Sequence, residues 1–237
     1  MKSDLIKAKL KASGIHLSIS VVIFFGILYL ILAEWYPGVF FEAEGGWDGI
    51  KLMAAVDLVL GPSLTFIIYN HTKAKKEIFL DLSLVAVVQI SALMWGGLQV
   101  YSERPVALVM WDGVFYTVTE DYYKKQDISL KDIATFSDEK PLLIYAESDH
   151  SLEQLEELQR LNREKIPPYA QVHLYKSIKE YKDDVFENQV SSDPWSDHLQ
   201  EDIAQTSDYL FLGKAKYYDL LVYLNSEAEL VELKIRQ

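Results

Sequence analysis

Cysteine is absent from all 237 residues, which excludes disulfides, thiolate nucleophiles and cysteine-based zinc sites. The other short signatures of chemistry are missing too. No His-Glu-x-x-His pair, Gly-x-Ser-x-Gly elbow, phosphate-cradling glycine loop or dinucleotide fingerprint occurs. None of the five histidines stands four residues from another, as a helical metal pair would. The acidic pairs Glu156-Glu157, Asp183-Asp184 and Glu201-Asp202 lack the spacing and glycine of a calcium loop and read as solvated helix faces. The run Ser148-Asp149-His150-Ser151 has the letters of a catalytic triad, but neighbouring side chains point apart, and a helix N-cap accounts for it. The expectation is a protein with no enzymatic activity, no metal, no cofactor and no small-molecule substrate.

Basic charge is scarce where a nucleic-acid partner would need it. The chain has 23 basic and 35 acidic residues; eight of each lie in the first hundred, so the whole net charge of −12 falls on residues 101 to 237. Such a half repels phosphate. The two halves are built for different solvents.

Charge is missing altogether from Ile15 to Ala33, a run long enough to cross roughly 30 Å of hydrocarbon. A cleaved signal peptide is the competing reading, but the run is too long and ends in Glu34-Trp35-Tyr36-Pro37 rather than in small residues. Two further spans follow, Ile50 to Tyr69 and about Leu80 to Val100, each carrying one acid, Asp57 and Asp81. The expected spans are therefore about 15–35, 50–69 and 80–100, in a transmembrane region of residues 1–101. Lys2, Lys7, Lys9 and Lys11 precede the first span, and Lys73, Lys75 and Lys76 separate the second from the third. The loop from Tyr36 to Gly49 has Glu42, Glu44 and Asp48 but no base, which orients the N-terminus inward and the C-terminus outward. Trp35, Tyr36, Trp47, Trp95 and Tyr101 stand at the boundaries as an aromatic belt.

Residues 102–237 have the pattern of an extracytoplasmic α+β domain with a mixed, largely antiparallel sheet. Pro105 to Trp111 and Val114 to Val118 flank Asp112-Gly113, a pair suited to the positive φ angles of a tight hairpin. A short helix near Ser129 to Phe136 and a strand from Pro141 to Ala146 follow. A leucine-faced helix capped at Asp149 or Ser151 then runs to about Lys165, and Pro167-Pro168 stops it. Residues 172 to 206 look largely helical, with a break near 191–194. Tyr209 to Lys214, Tyr217 to Leu224 and Glu229 to Ile235 are spaced as an antiparallel meander.

Asp57 is the most informative residue, because a carboxylate in hydrocarbon is costly and faces a protein interior, a cavity or a partner. It either hydrogen-bonds the neighbouring helices or recognises another membrane helix. Gly61-Pro62, one turn further on, offers a small surface and a kink that serve either a docking groove or close packing within the bundle.

The segments Trp35-Tyr36-Pro37, Phe40-Phe41, Gly45-Gly46-Trp47, Val56-Asp57-Leu58-Val59-Leu60-Gly61-Pro62 and Glu103-Arg104-Pro105-Val106-Ala107-Leu108, in that order and spacing, resemble the TfpX/TfpZ family of type IV pilin accessory proteins. The resemblance covers the membrane half and the first outer hairpin. It implies an inner-membrane protein with a periplasmic C-terminal domain, a chaperone-like role in type IV pilus assembly, and a cognate major pilin as partner. On that reading the candidate partner-binding residues are Trp35, Tyr36, Pro37, Trp47, Asp57, Gly61 and Pro62. The alternative is an extracytoplasmic sensor acting through a partner, since Met1 to Gly14 and Asn70 to Ile78 are too short for an output domain.

Overall fold

The computed structural model describes residues 2–147, 152–190 and 209–236. The N-cap expected at 149–151 and the helix and break expected beyond residue 190 lie outside the described residues. The chain divides into two compact units, one of Met1–Phe41 with Gly45–Tyr101 and the other of Glu42–Glu44 with Ser102–Gln237.

The first unit is helical. Helix α1 (Lys2–Leu30) runs on through a π-helical turn, Ile31–Trp35, and the short α2 (Phe40–Ala43) follows. The second long helix is composite, with α3 (Gly46–Ala54), a π-helical segment Ala55–Leu60 and α4 (Gly61–Ile68) in one line, and α5 is Lys75–Ser102. Ser3–Trp35, Gly46–Ile68 and Lys75–Ser102 are each long and apolar enough to cross a membrane. Their outward faces carry Val22, Phe25, Leu84, Met94 and Leu98, all exposed, a dressing for lipid rather than water. Helix α1 starts at Lys2, well before the apolar run at Ile15, because Lys, Ala and Leu are strong helix formers and nothing between them stops the turn.

The π-helical segment has a chemical cause. Pro62 has no N–H to give and would collide with the carbonyl one turn back. The backbone widens ahead of it, and the Gly61 N–H reaches Val56 O, five residues away. In that register the donor missing at Pro62 would fall on Asp57 O, and Gln89 Nε2 approaches that oxygen at 3.4 Å. The proline is thus absorbed by a π turn with outside help from α5.

The second unit is built on a seven-stranded mixed sheet. Its strands are β1 (Pro105–Trp111), β2 (Val114–Thr119), β3 (Leu142–Ala146), β4 (Tyr175–Ser177), β5 (Tyr209–Lys214), β6 (Asp219–Leu224) and β7 (Leu230–Ile235), in the spatial order β4-β3-β1-β2-β5-β6-β7. The hairpin β1/β2 turns on Asp112 and Gly113, at φ 51° and 76°, the two left-handed positions a tight hairpin turn requires. Strands β5, β6 and β7 form the antiparallel meander. The pairs β1/β3 and β2/β5 are parallel. Among the described residues the unit also contains helices α6 (Glu120–Lys125), α7 (Leu130–Ile133), α8 (Leu152–Arg163) and α9 (Lys182–Glu187). A reciprocal pair of bonds between Ser129 and Asp132 starts α7.

One expectation is corrected. Within 172–190 the chain is largely non-helical: a 3₁₀ turn at Val172–Leu174 leads into β4, and only Lys182–Glu187 is α-helix. Strand β4 is only three residues long, below the length at which alternation can be read. It is held from outside, because buried Tyr175 hydrogen-bonds Tyr123 at 2.9 Å and its backbone pairs with β3.

Candidate functional site

Five polar side chains meet inside the helical unit. His16 and Ser20 come from α1, Asp57 from the π-helical segment, Thr65 from α4 and Gln89 from α5. Asp57 lies at the midpoint of Gly46–Ile68, and Gln89 is central in Lys75–Ser102. Gln89 is the hub. Its Oε1 lies 2.8 Å from His16 Nε2, and its Nε2 lies 3.2 Å from both Ser20 Oγ and Asp57 Oδ1. His16 Nδ1 is 2.5 Å from Thr65 Oγ1. Since Gln89 Oε1 can only accept, His16 Nε2 carries the hydrogen of that bond, and Nδ1 meets the Thr65 hydroxyl, which can donate or accept. One residue type at each position therefore completes a chain of donors and acceptors across three helices.

Asp57 is 2% exposed. Its Oδ1 accepts from Gln89, but its equally buried Oδ2 has no hydrogen-bond partner among the described residues. Beside it is a cavity of about 130 Å³ whose lining includes His16, Ser20, Asp57 and Gln89. Gly61 and Pro62 are buried in the same region. A Cβ on Gly61 would stand 2.7 Å from Gln89 Cδ and Nε2, so the glycine makes room for the hub. Ser13 Oγ donates to Pro62 O at 2.8 Å and Lys9 Nζ to Ile67 O at 2.8 Å, tying α1 along α4.

The other candidate residues gather elsewhere. Trp35 is half-buried and meets Tyr101 edge-on at 5.1 Å, and Tyr36 is buried with its hydroxyl donating to Val100 O at 2.8 Å. Pro37 is exposed. Trp47 packs edge-on to Phe41 at 5.1 Å yet is 55% exposed. The structure therefore joins Asp57 to Gly61-Pro62 and sets the aromatic residues apart from them.

His16, Ser20, Thr65 and Gln89 were not among the candidates. Gln89 did leave a trace, as an amide in the middle of a largely apolar run.

The sheet unit has its own cavity of about 460 Å³, lined by Tyr116, Tyr122, Tyr169, Glu44, Lys125 and Lys216 among others. Tyr116 and Tyr169 stack at 4.2 Å with rings 4° from parallel. Burial pushes the Glu44 carboxyl above its ordinary range, against the opposing pull of a Thr117 hydrogen bond and Lys216. Burial likewise raises the Tyr169 phenol to about 12. Among the described residues, no group of three His, Asp or Glu side chains could hold a metal ion.

Three helices long and apolar enough to cross a membrane, knitted by a mid-helix polar network and followed in the chain by a mixed-sheet unit, are the architecture compatible with a membrane protein carrying an α+β domain. The chain is 38% identical over 99 residues to the fimbrial assembly protein of serogroup E1 from Dichelobacter nodosus, a match over 42% of this chain and 38% of that protein. It is 37% identical over 99 residues to the fimbrial assembly protein of serogroups C1 and C2 of the same organism, covering 76% of that relative. The serogroup I protein matches at 37% over 99 residues and 38% of its length. The chain thus belongs to the family of these fimbrial assembly proteins, while spanning well under half the length of the serogroup E1 and I relatives. No family model and no solved structure matches it.

Proposed function

We propose that the chain is a non-enzymatic, inner-membrane accessory protein that supports type IV pilus assembly from its cognate major pilin, as the resemblance to the TfpX/TfpZ family implies. The observation that carries this reading is the identity to fimbrial assembly proteins over 99 residues, and the three membrane-length helices are consistent with it. A pilin subunit awaiting assembly carries a hydrophobic helix in the membrane. An accessory protein for such a client needs membrane surface of its own, and the apolar helix faces supply it. The N-terminus lies in the cytoplasm and the sheet domain in the periplasm, in line with the lysines before α1 and in the loop of residues 70–76. Trp35, Pro37 and Trp47 form the boundary part of the pilin contact and Asp57 the part at mid-membrane depth, while Tyr36, Gly61 and Pro62, buried in the bundle, position them.

The test is deletion of the gene followed by counting of surface pili, with the cognate pilin or a divergent one supplied. Pili should fall with the cognate pilin and recover on complementation. Equal piliation with every pilin, with and without the protein, would overturn the reading. Alkaline phosphatase fused after residue 236 should be active and after residue 75 inactive; the reverse would overturn the topology.

A further inference from the structure

We propose that the cavity beside Asp57 is an intramembrane receptor for a hydrogen-bond donor carried by a transmembrane helix of a partner protein. The inference rests on the reading that this chain works in the membrane as an assembly accessory, and it specifies the chemistry the partner must present.

Three features lead there. The first is the vacant acceptor: Asp57 Oδ2 is buried and has no hydrogen-bond partner among the described residues, while the neighbouring Gln89 amide and His16 ring are both engaged. An acid left half-satisfied at mid-helix depth is costly in hydrocarbon, and a donor reaching Oδ2 removes that cost. The second is the shape of the lining. Ile19 and Ile23 of α1 and Ile90 of α5 form an apolar rim around the polar floor, and all three are exposed on the lipid-facing side. A ligand that fits has an apolar stem and a donor head, the form of a side chain projecting from a hydrophobic helix. The third is size. About 130 Å³ is the space of roughly four waters at ~30 Å³ each, enough for one side chain and too little for a helix.

The internal network explains why the vacancy persists. Gln89 divides its two N–H groups between Ser20 and Asp57, with a long approach to Asp57 O, and has nothing left for Oδ2. His16 is committed to Thr65 and Gln89. Neither Gln89 nor His16 can therefore serve Oδ2 without giving up a bond, and the Ser20 hydroxyl, which accepts from Gln89, does not reach it.

The test uses the full chain in vesicles of phosphatidylethanolamine and phosphatidylglycerol with synthetic transmembrane Leu-Ala peptides that differ only at the central residue, Asn, Lys or Leu. Association is read by energy transfer between labelled peptide and protein. A peptide with a central donor should bind about three- to twentyfold more tightly than the Leu peptide, the span expected of one interhelical hydrogen bond. Moving the donor seven residues toward either end, roughly 10 Å along the helix, should abolish the preference. Asp57→Leu should abolish it too, and so should Ala86→Phe, which fills the cavity and leaves the carboxylate in place. Equal binding of all peptides, or a preference that survives both substitutions, would overturn the proposal. Self-association of the protein that is lost in Asp57→Leu, with no peptide preference, would overturn it by assigning the site to a second copy. Equal binding of all peptides by the unsubstituted protein, alongside loss of pili on deletion, would remove the receptor site and leave the assembly role standing.

Discussion

Replacing Gln89 by Leu should loosen the bundle far more than the loss of one exposed amide would. Three interhelical bonds depend on this side chain, to His16, Ser20 and Asp57 Oδ1. Interhelical hydrogen bonds in membranes average about 0.6 kcal/mol and reach ~1.7, so the three together contribute roughly 2 kcal/mol. Asp57 would then be buried with neither oxygen paired, and an orphaned buried polar group adds about 1–3 kcal/mol. The expected total is about 3–5 kcal/mol. The double variant Gln89→Leu, Asp57→Leu should recover most of the loss, because exchanging both members of a buried polar pair for apolar groups of similar size is close to neutral. The absence of native cysteine allows a fluorophore pair on Val22→Cys and Val87→Cys, both lipid-facing, with unfolding followed by energy transfer during SDS titration. An unchanged midpoint for Gln89→Leu, or a double variant less stable than Gln89→Leu alone, would refute the account of Gln89 as hub.

The other expectations concern both units. Gly61→Ala should act as a weaker copy of Gln89→Leu, since its methyl group displaces the Gln89 head, and the same titration should show a smaller fall in midpoint. Arg104→Ala should destabilise the sheet unit by about 1–3 kcal/mol, the cost of leaving one buried polar atom unpaired, because Arg104 pairs with one Glu120 oxygen at 12% and 14% side-chain exposure while Lys124 still pairs with the other; near-UV dichroism on heating would read it. The Glu44 carboxyl, raised by burial, holds its proton in the folded state at pH values where the unfolded chain has released it. Its contribution to stability is thus full below the ordinary carboxyl range and is lost as pH rises through the raised value. Glu44→Gln should therefore flatten the fall in thermal midpoint above about pH 4.5 and raise the midpoint at neutral pH. A steeper fall in the variant would reverse the sign and defeat the argument.

Much of the architecture is legible along the chain because the forces behind it are local or follow from composition. A charge-free run of membrane length declares a span, since an unpaired charge there is costly. Asp112-Gly113 declares its hairpin, because few other pairs accept two left-handed residues in succession. The meander of β5 to β7 declares itself through three apolar runs of similar length at short spacing. Asp57 was identified as significant for the same kind of reason, an acid where hydrocarbon is expected.

The three-dimensional arrangement decided what Asp57 is joined to. His16 and Gln89 are 73 residues apart, and no period or spacing links them, because which faces of two helices meet depends on packing and not on either helix alone. Asp57 is bonded to a neighbouring helix through Oδ1, while Oδ2 has no hydrogen-bond partner among the described residues. In the sheet unit, the parallel pairings β1/β3 and β2/β5 and the three-residue β4 were equally beyond reach, since parallel neighbours are brought together across long connections. Sequence alone therefore determined which segments suit hydrocarbon and which suit water, through the transfer cost of each side chain. Tertiary structure alone determined which polar groups among them are satisfied and which is left open, because a hydrogen bond exists only where two distant segments place donor and acceptor within about 3 Å.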